Sequence, residues 1–242
     1  MRIRVKRSVS VYEEHREPFL TLLLNACQGA REAAGVNPHP YVKAESDGKT
    51  FDVVVTTEFG SMAEYEEKFL HQLLKNDNFL DGAESAFDMI VDNPRDEMYV
   101  RLEPDDYFMH RKGGVELEHL SDDASTEQKK YLVERMFRAK PGKLREIMAL
   151  NFKLMEEEAK KTGVMPKYFC TRFTAGRIGA SEQVRSFNDP IELDKKMLDY
   201  DDKFDHALLI SPIEDTYYRR VDAELINSFQ NLKAPEILVP QI

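Results

Sequence analysis

The stretches "TEFGSMAEYEEKF" (residues 57–69) and "RSFNDPIELDKKM" (185–197) follow one grammar. In each, a Phe is followed two residues later by a helix-capping side chain, Ser61 or Asp189, and three residues further on by Glu64 or Glu192. Every matched position lies 128 residues from its counterpart. Ser61 can accept from the exposed amides of a first helical turn while Glu64 reaches back, a capping box. Asp189 can do the same, with Pro190 at the first helical position, where its missing N–H costs nothing.

An internal duplication requires the flanks to match in the same order, and they do. Residues 3–12 ("IRVKRSVSVY") and 131–140 ("YLVERMFRAK") both read as strands, with Val5, Arg7 and Val9 falling on Val133, Arg135 and Phe137. Each strand leads to a helical stripe of period 3.6: Phe19, Leu22, Leu23, Ala26, Cys27 and Ala30 in the first copy, Leu144, Ile147, Met148, Asn151, Met155 and Ala159 in the second. Both stripes stop at a Gly-Val pair, Gly35-Val36 and Gly163-Val164, where Gly suits the left-handed turn beyond a helix end. Two strand-like runs follow in each copy. In the first they are separated by Asp47-Gly48, a hairpin signal; in the second, "KYFCTRFTA" and "RIGASEQVRSF" flank Gly176. The last strand repeats as "NPRDEMYVRLE" (93–103) and "SPIEDTYYRRV" (211–221), matching Pro94 with Pro212, Tyr99 with Tyr217 and Arg101 with Arg219. That offset is 118, so the first copy holds about ten extra residues around "HQLLKNDNFLDGAESAFDMI".

The order β-α-β-β-α-β, twice, defines an α+β chain of two tandem ferredoxin-like modules. Apolar residues on both faces of strands such as "DVVVTT" require a partner for the sheet face opposite the helices, and the second module supplies it. The modules are expected to pack sheet to sheet as a pseudo-twofold α/β barrel. The expected organisation is residues 1–104 for the first module, 105–128 for a linker, 129–222 for the second module, and 223–242 for a C-terminal helix and docking tail.

The chain has 242 residues, 42% of them apolar, and a formal charge of −10. That balance weighs against nucleic-acid or anionic-membrane binding, which needs a basic footprint. No signal-like segment and no run of 18 apolar residues is present, so a cytoplasmic protein with no membrane partner is expected. Cys27 and Cys170 read as core thiols of a reducing compartment.

The arrangement, and in particular "ERMFRAKPGKLREIMALNFK" (134–153) with "VRSFNDPIELDKKM" (184–197), resembles the dimeric α/β-barrel superfamily. The nearest branches are the NIPSNAP-like and antibiotic-biosynthesis monooxygenase-like proteins. The strand, Pro141-Gly142-Lys143 turn and helix carry the likeness; the Trp common near the third strand is absent, and Phe187 stands there. The resemblance implies a ligand cavity, between sheet and helices or inside the barrel. It also implies that two modules form in one chain what most members form by dimerisation. Some members are cofactor-independent monooxygenases of aromatic polyketides, others bind or degrade haem, and others are isomerases, decarboxylases or dehydratases.

Candidate chemistry lies in strand arginines and tyrosines. Arg7 and Arg135 recur within an apolar alternation and are expected to project into the barrel. Tyr99 and Arg101 share a face of the last strand of one copy, as do Tyr217 and Arg219 in the other. Two readings are open: guanidinium groups holding a carboxylate or enolate while a tyrosine orients or donates a proton, or arginines cross-linking strands to Asp and Glu. Arg172 is a further candidate. His39, fixed between Pro38 and Pro40, is a candidate for a pocket mouth. His71 reads as a surface residue or, less simply, a haem ligand. Asp201, Asp202, Asp205 and His206 read as a solvated cluster, with a divalent site as the alternative. No metal-ligand spacing occurs, and no cofactor is called for, a haem being the one exception the resemblance leaves open.

The expected function is therefore that of a small-molecule enzyme, cofactor-independent and monooxygenase-like or isomerase-like, using a barrel cavity. The alternatives are a non-catalytic ligand-binding or stress-related protein and a structural or interaction protein. A small-molecule ligand is the expected partner, with a homodimer formed through the C-terminal tail as a further expectation.

Overall fold

The computed structural model describes residues 2–102, 130–162, 167–171, 180–189, 191, 203 and 205–232. The linker 105–128, Gly163-Val164, Arg172, Gly176, Pro190, Glu192, Asp201, Asp202 and the tail 233–242 lie outside the described residues. Strand β1 (Ile3–Tyr12) is the spine of the first half, pairing antiparallel with β3 (Thr50–Phe59) on one side and β4 (Arg95–Arg101) on the other. Helix α1 (Arg16–Ala34) connects β1 to β2 (His39–Ser46), which forms a hairpin with β3. In the second half β5 (Tyr131–Arg138) is the spine, flanked by β7 (Ala180–Phe187) and β8 (Glu214–Arg220). Helix α4 (Leu144–Thr162) leads to β6 (Lys167–Thr171) at the far edge.

The eight strands close into one barrel in the order β1-β3-β2-β8-β5-β7-β6-β4. The two sheets are joined edge to edge: β2 pairs with β8 from Tyr41–Arg220 to Lys43–Tyr218, and β4 pairs with β6 from Tyr99–Thr171 to Arg101–Phe169. Closure satisfies the edge amides and carbonyls that two merely stacked sheets would leave open. Register repeats between the halves: Ile3 faces Phe59 as Tyr131 faces Phe187, each residue 128 from its counterpart. Arg7 faces Asp96 as Arg135 faces Asp215, which sets β4 and β8 at an offset of 119. The sequence match of Tyr99 with Tyr217 at 118 is thus one residue out, and Tyr99 corresponds to Tyr218. One step along a strand moves a side chain to the other face.

Local signals act as their chemistry requires. The Glu64 N–H donates to Ser61 Oγ (3.1 Å), and Glu64 Oε2 accepts from the Gly60 N–H (2.6 Å). Helix α1 ends at Gly35, whose φ of 59° only glycine adopts freely, with its N–H on the Arg31 carbonyl. In the β2–β3 turn Asp47 Oδ1 accepts from the amides of Lys49 and Thr50. The extra residues of the first half continue the short helix α2 (Met62–Tyr65) through a π-helical turn (Glu66–Gln72) and a 3-10 turn (Leu73–Lys75). Helix α3 (Asp77–Ala86) then packs on α1. Helix α5 (Ala223–Leu232) also lies on α1.

The core is layered. Val11, Phe19, Leu20, Phe51, Val53 and Leu225 pack between the outer sheet face and the helices, and Ile3, Val5, Ala30, Ala34 and Phe59 continue that layer. A separate cluster of Tyr41, Val54, Tyr99, Leu132, Val184 and Tyr218 fills the barrel interior.

Candidate functional site

Alternation along β1 and β5 sorts the charged residues into two populations. Arg4, Lys6 and Glu134 share the lumen side with the inner cluster and are all buried. Glu134 accepts from both Arg4 and Lys6, and the Lys6 ammonium lies 5.8 Å from the Tyr218 ring centroid. Burial would by itself raise the Glu134 carboxyl, but the two cations outweigh it and hold it down at about 2. The Tyr99 hydroxyl donates to Glu97 (2.8 Å). The middle of the barrel is therefore a packed core threaded by ion pairs. One end opens into a polar cavity of about 340 Å³, lined by Lys6, Ser8, Lys43, Asp52, Arg95 and Glu97 among others.

Arg7 and Arg135 face the helices instead of the lumen, because each shares its strand face with a residue packed under a helix: Val5 beside Ala30, and Phe137 beside Ile147. Each makes the same bidentate contact. Arg7 Nε and Nη2 lie 2.7 Å from the two Asp96 oxygens, and Arg135 Nε and Nη2 lie 2.8 and 2.7 Å from those of Asp215. Their surroundings differ: the Arg135 side chain is 1% exposed and that of Arg7 37%. The hydrogen bonds to Asp96 raise the Arg7 guanidinium above its usual range, against the opposing effect of burial. Tyr217, on the outer side of β8, is 37% exposed and does not join Tyr99, which is lumen-facing and buried. His39 is buried on the lumen side of β2, opposite Thr56, and lines neither described cavity. The five candidates therefore do not converge on one point.

A second cavity, of about 250 Å³, lies between the outer face of the first-half sheet and its helices. Its floor is Val5, Arg7, Val9 and Val55; α1 contributes Leu22, Leu23, Ala26 and Cys27; α3 and the turn after it contribute Gly82, Ala83, Ala86, Phe87 and Ile90. The wall is almost wholly apolar, with Arg7 its one charged member among the described residues. The guanidinium carbon of Arg7 sits 5.5 Å from the Phe69 ring centroid, and Phe69 stacks on Tyr65 at 5.4 Å. Burial raises the Tyr65 hydroxyl, and the Asp96 charge adds to it. Burial also pushes the Cys27 thiol up to about 12, so Cys27 is a neutral apolar surface there.

The segment that walls this cavity, Gly82 to Ile90, lies in the stretch by which the first half is longer, nine residues by strand register (128 less 119), which the sequence shows only as a length difference. A trace of the cavity exists in the α1 stripe. Leu22, Leu23 and Ala26 on its apolar face are half-buried where they line the space, while Phe19 and Cys27 line it and are buried. Elsewhere, His71 is exposed, and Asp205 caps a 3-10 turn by accepting from the Ala207 N–H (3.0 Å). Cys170 occupies a β6 position opposite Val100. Among the described residues no group of three His, Cys, Asp or Glu side chains could hold a metal ion. No described helix is long and apolar enough to cross a membrane.

No family model and no curated protein sequence matches the chain. Solved structures do match. A candidate monooxygenase from Fusobacterium nucleatum subsp. nucleatum superposes with a TM-score of 0.64 at 10% identity, over 91% of this chain and 93% of its own. A candidate chlorite dismutase gives 0.60 at 14% identity, covering 95% and 99%. A heme-binding protein from Thermus thermophilus gives 0.56 at 13%, covering 95% of each chain. At these identities the likeness is one of fold: the chain has the ferredoxin-like α/β-barrel fold of these proteins. Haem does not fit the apolar cavity. No His among the described residues lines it, and its one thiol there is held protonated, so it offers no ligand for the iron.

Proposed function

We propose that the protein is a small-molecule enzyme of the cofactor-independent, monooxygenase-like kind, acting on a compact aromatic or polyenolic substrate in the cavity between the first-half sheet and its helices. The observation that carries this reading is an apolar pocket, partly open to solvent, whose one charged wall group among the described residues is Arg7. Asp96 takes Nε and Nη2, so the remaining edge of the five-donor fork is left for a ligand oxygen. A guanidinium in apolar surroundings favours the anion of a bound phenol or enol, the electron-rich form that oxygenation needs. Asp96 fixes the plane of the fork. Of the expected site residues, Arg7 is assigned to the ligand, Arg135 and Tyr99 to structural pairs, and Tyr217 and His39 to no step.

The same reading takes residues 1–104 and 129–222 as duplicated modules around a linker at 105–128, with 223–242 as helix and tail. It is supported by the common strand order and the repeated 128-residue register. Divergence has then left the cavity-lining segment in the first copy alone. A cytoplasmic location and dimerisation through the tail belong to this proposal as well.

The test is binding and oxygen uptake with a panel of hydroxylated polycyclic aromatics. Ligands with an ionisable hydroxyl should bind and consume oxygen, and Arg7→Met should abolish uptake while sparing binding of the unhydroxylated hydrocarbons. Identical behaviour of the parent and Arg7→Met would remove Arg7 from the site. A second reading, ligand binding without catalysis, is favoured by the pairing of both strand arginines with aspartate and by the protonated thiol. It predicts tight binding without turnover across the panel.

A further inference from the structure

The lumen holds a contact whose two members occupy the same place in the two halves. Lys6 sits on β1 opposite Thr56 and Glu97; Glu134 sits on β5 opposite Val184 and Thr216. Positions 6 and 134 are therefore related by the same shift that relates the sheets, and they touch each other across the barrel. When two equivalent positions meet across a two-fold relation, a chain pairing with its own copy must place like beside like. A first half paired with another first half would bring Lys6 against Lys6, with an Arg4 from each copy beside them. A second half paired with itself would bring Glu134 against Glu134, with Leu132 in place of Arg4. Both arrangements set like charges together at these positions, and a first-half pair would have only its own Glu97, opposite Lys6, and Glu58, opposite Arg4, to offset its cations.

We infer that the Arg4–Glu134–Lys6 group is the determinant that makes the two halves recognise each other and reject themselves. The partner fitted by the first half's lumen face is a half presenting a single carboxylate at the position equivalent to Lys6, from the same chain or, by reciprocal exchange, from a second copy of it. This inference rests on the shared register of the halves and is independent of what the cavity binds. The surrounding lumen side chains, Tyr41, Val54, Tyr99, Leu132, Val184 and Tyr218, are apolar or aromatic. They supply cohesion in any pairing, whereas among Arg4, Lys6 and Glu134 only the pairing of unlike halves sets a carboxylate between the two cations.

The test is a charge exchange in the full-length chain, read by thermal unfolding and by mass in solution. Lys6→Glu and Glu134→Lys should each lower Tm by at least about 10 °C, or fail to give soluble protein. The double variant K6E/E134K keeps one carboxylate shared by two cations, and should recover most of the parent Tm as well as the parent mass. A double variant no better than the single reversals overturns the inference, as does an E134K protein as stable as the parent. The neutral cycle K6M, E134Q and K6M/E134Q avoids reversed charge: a non-additive loss of several degrees supports the pairing, and additivity overturns it.

Discussion

At the residue scale, the two arginine–aspartate forks form an internal control. Their geometry is the same and their burial is not, so their removal separates the value of a pair from the cost of leaving a charge behind. Arg135→Met should lower unfolding stability by about 3–5 kcal/mol, since it strands Asp215 beside a core from which Arg135 was almost fully excluded from water. Arg7→Met should cost only about 1 kcal/mol or less, because solvent screens the partly exposed Asp96. Chemical denaturation of both variants measures the difference. Glu134 makes a second residue-scale prediction. Its folded carboxyl ionises near 2 instead of 4.5, so between those values the unfolded chain binds more protons than the folded one. The stabilisation is complete above about pH 4.5 and is lost as pH falls through about 2. Denaturation curves across that window should be steeper in pH for the parent than for Glu134→Gln, and equal slopes would contradict the assignment.

At the element scale, the decisive piece is α3 with its preceding π-helical turn. It places Gly82, Ala83 and Ala86 over α1 and so walls in one side of the sheet–helix groove. Ala83→Leu should fill part of that space, abolish saturable binding of small aromatics, and leave the far-UV circular dichroism spectrum unchanged. Retention of binding would place the ligand elsewhere. The elements also show where sequence reasoning succeeds and where it stops. Caps, hairpin and helix ends are legible because Ser61, Asp47 and Gly35 act on neighbours within a few residues. The pairing of Arg7 with Val5 and Val9 on one face is legible from alternation. Which face is the lumen is not, because the lumen side of β1 reads Arg4, Lys6, Ser8 and Ser10, a polar set that patterning alone would assign to solvent. The match of Tyr99 to Tyr217 failed for a related reason: "YY" at 217–218 offers two alignments, and only the ladder from Arg135 to Asp215 chooses between them. The walls of the cavity come from elements far apart in sequence, so no local pattern announces it.

At the scale of the whole molecule, a single closed ladder makes the halves interdependent. Unfolding one would break both seams, β2 with β8 and β4 with β6, and expose the shared lumen cluster. Urea unfolding followed by tyrosine fluorescence and by circular dichroism should therefore give coincident, single transitions. Two separated transitions would show that the halves are stable alone.

The seams have a consequence for synthesis. Strand β2 is complete by residue 46, but its outer partner β8 begins at residue 214. While the ribosome makes the intervening chain, the nascent first half carries two unpaired strand edges and an uncovered apolar concavity. Contacts of such long sequence separation form late, and an open edge is a template for the same edge on a neighbouring chain. Translation speed and chaperone supply, more than final stability, should thus govern the yield of folded protein.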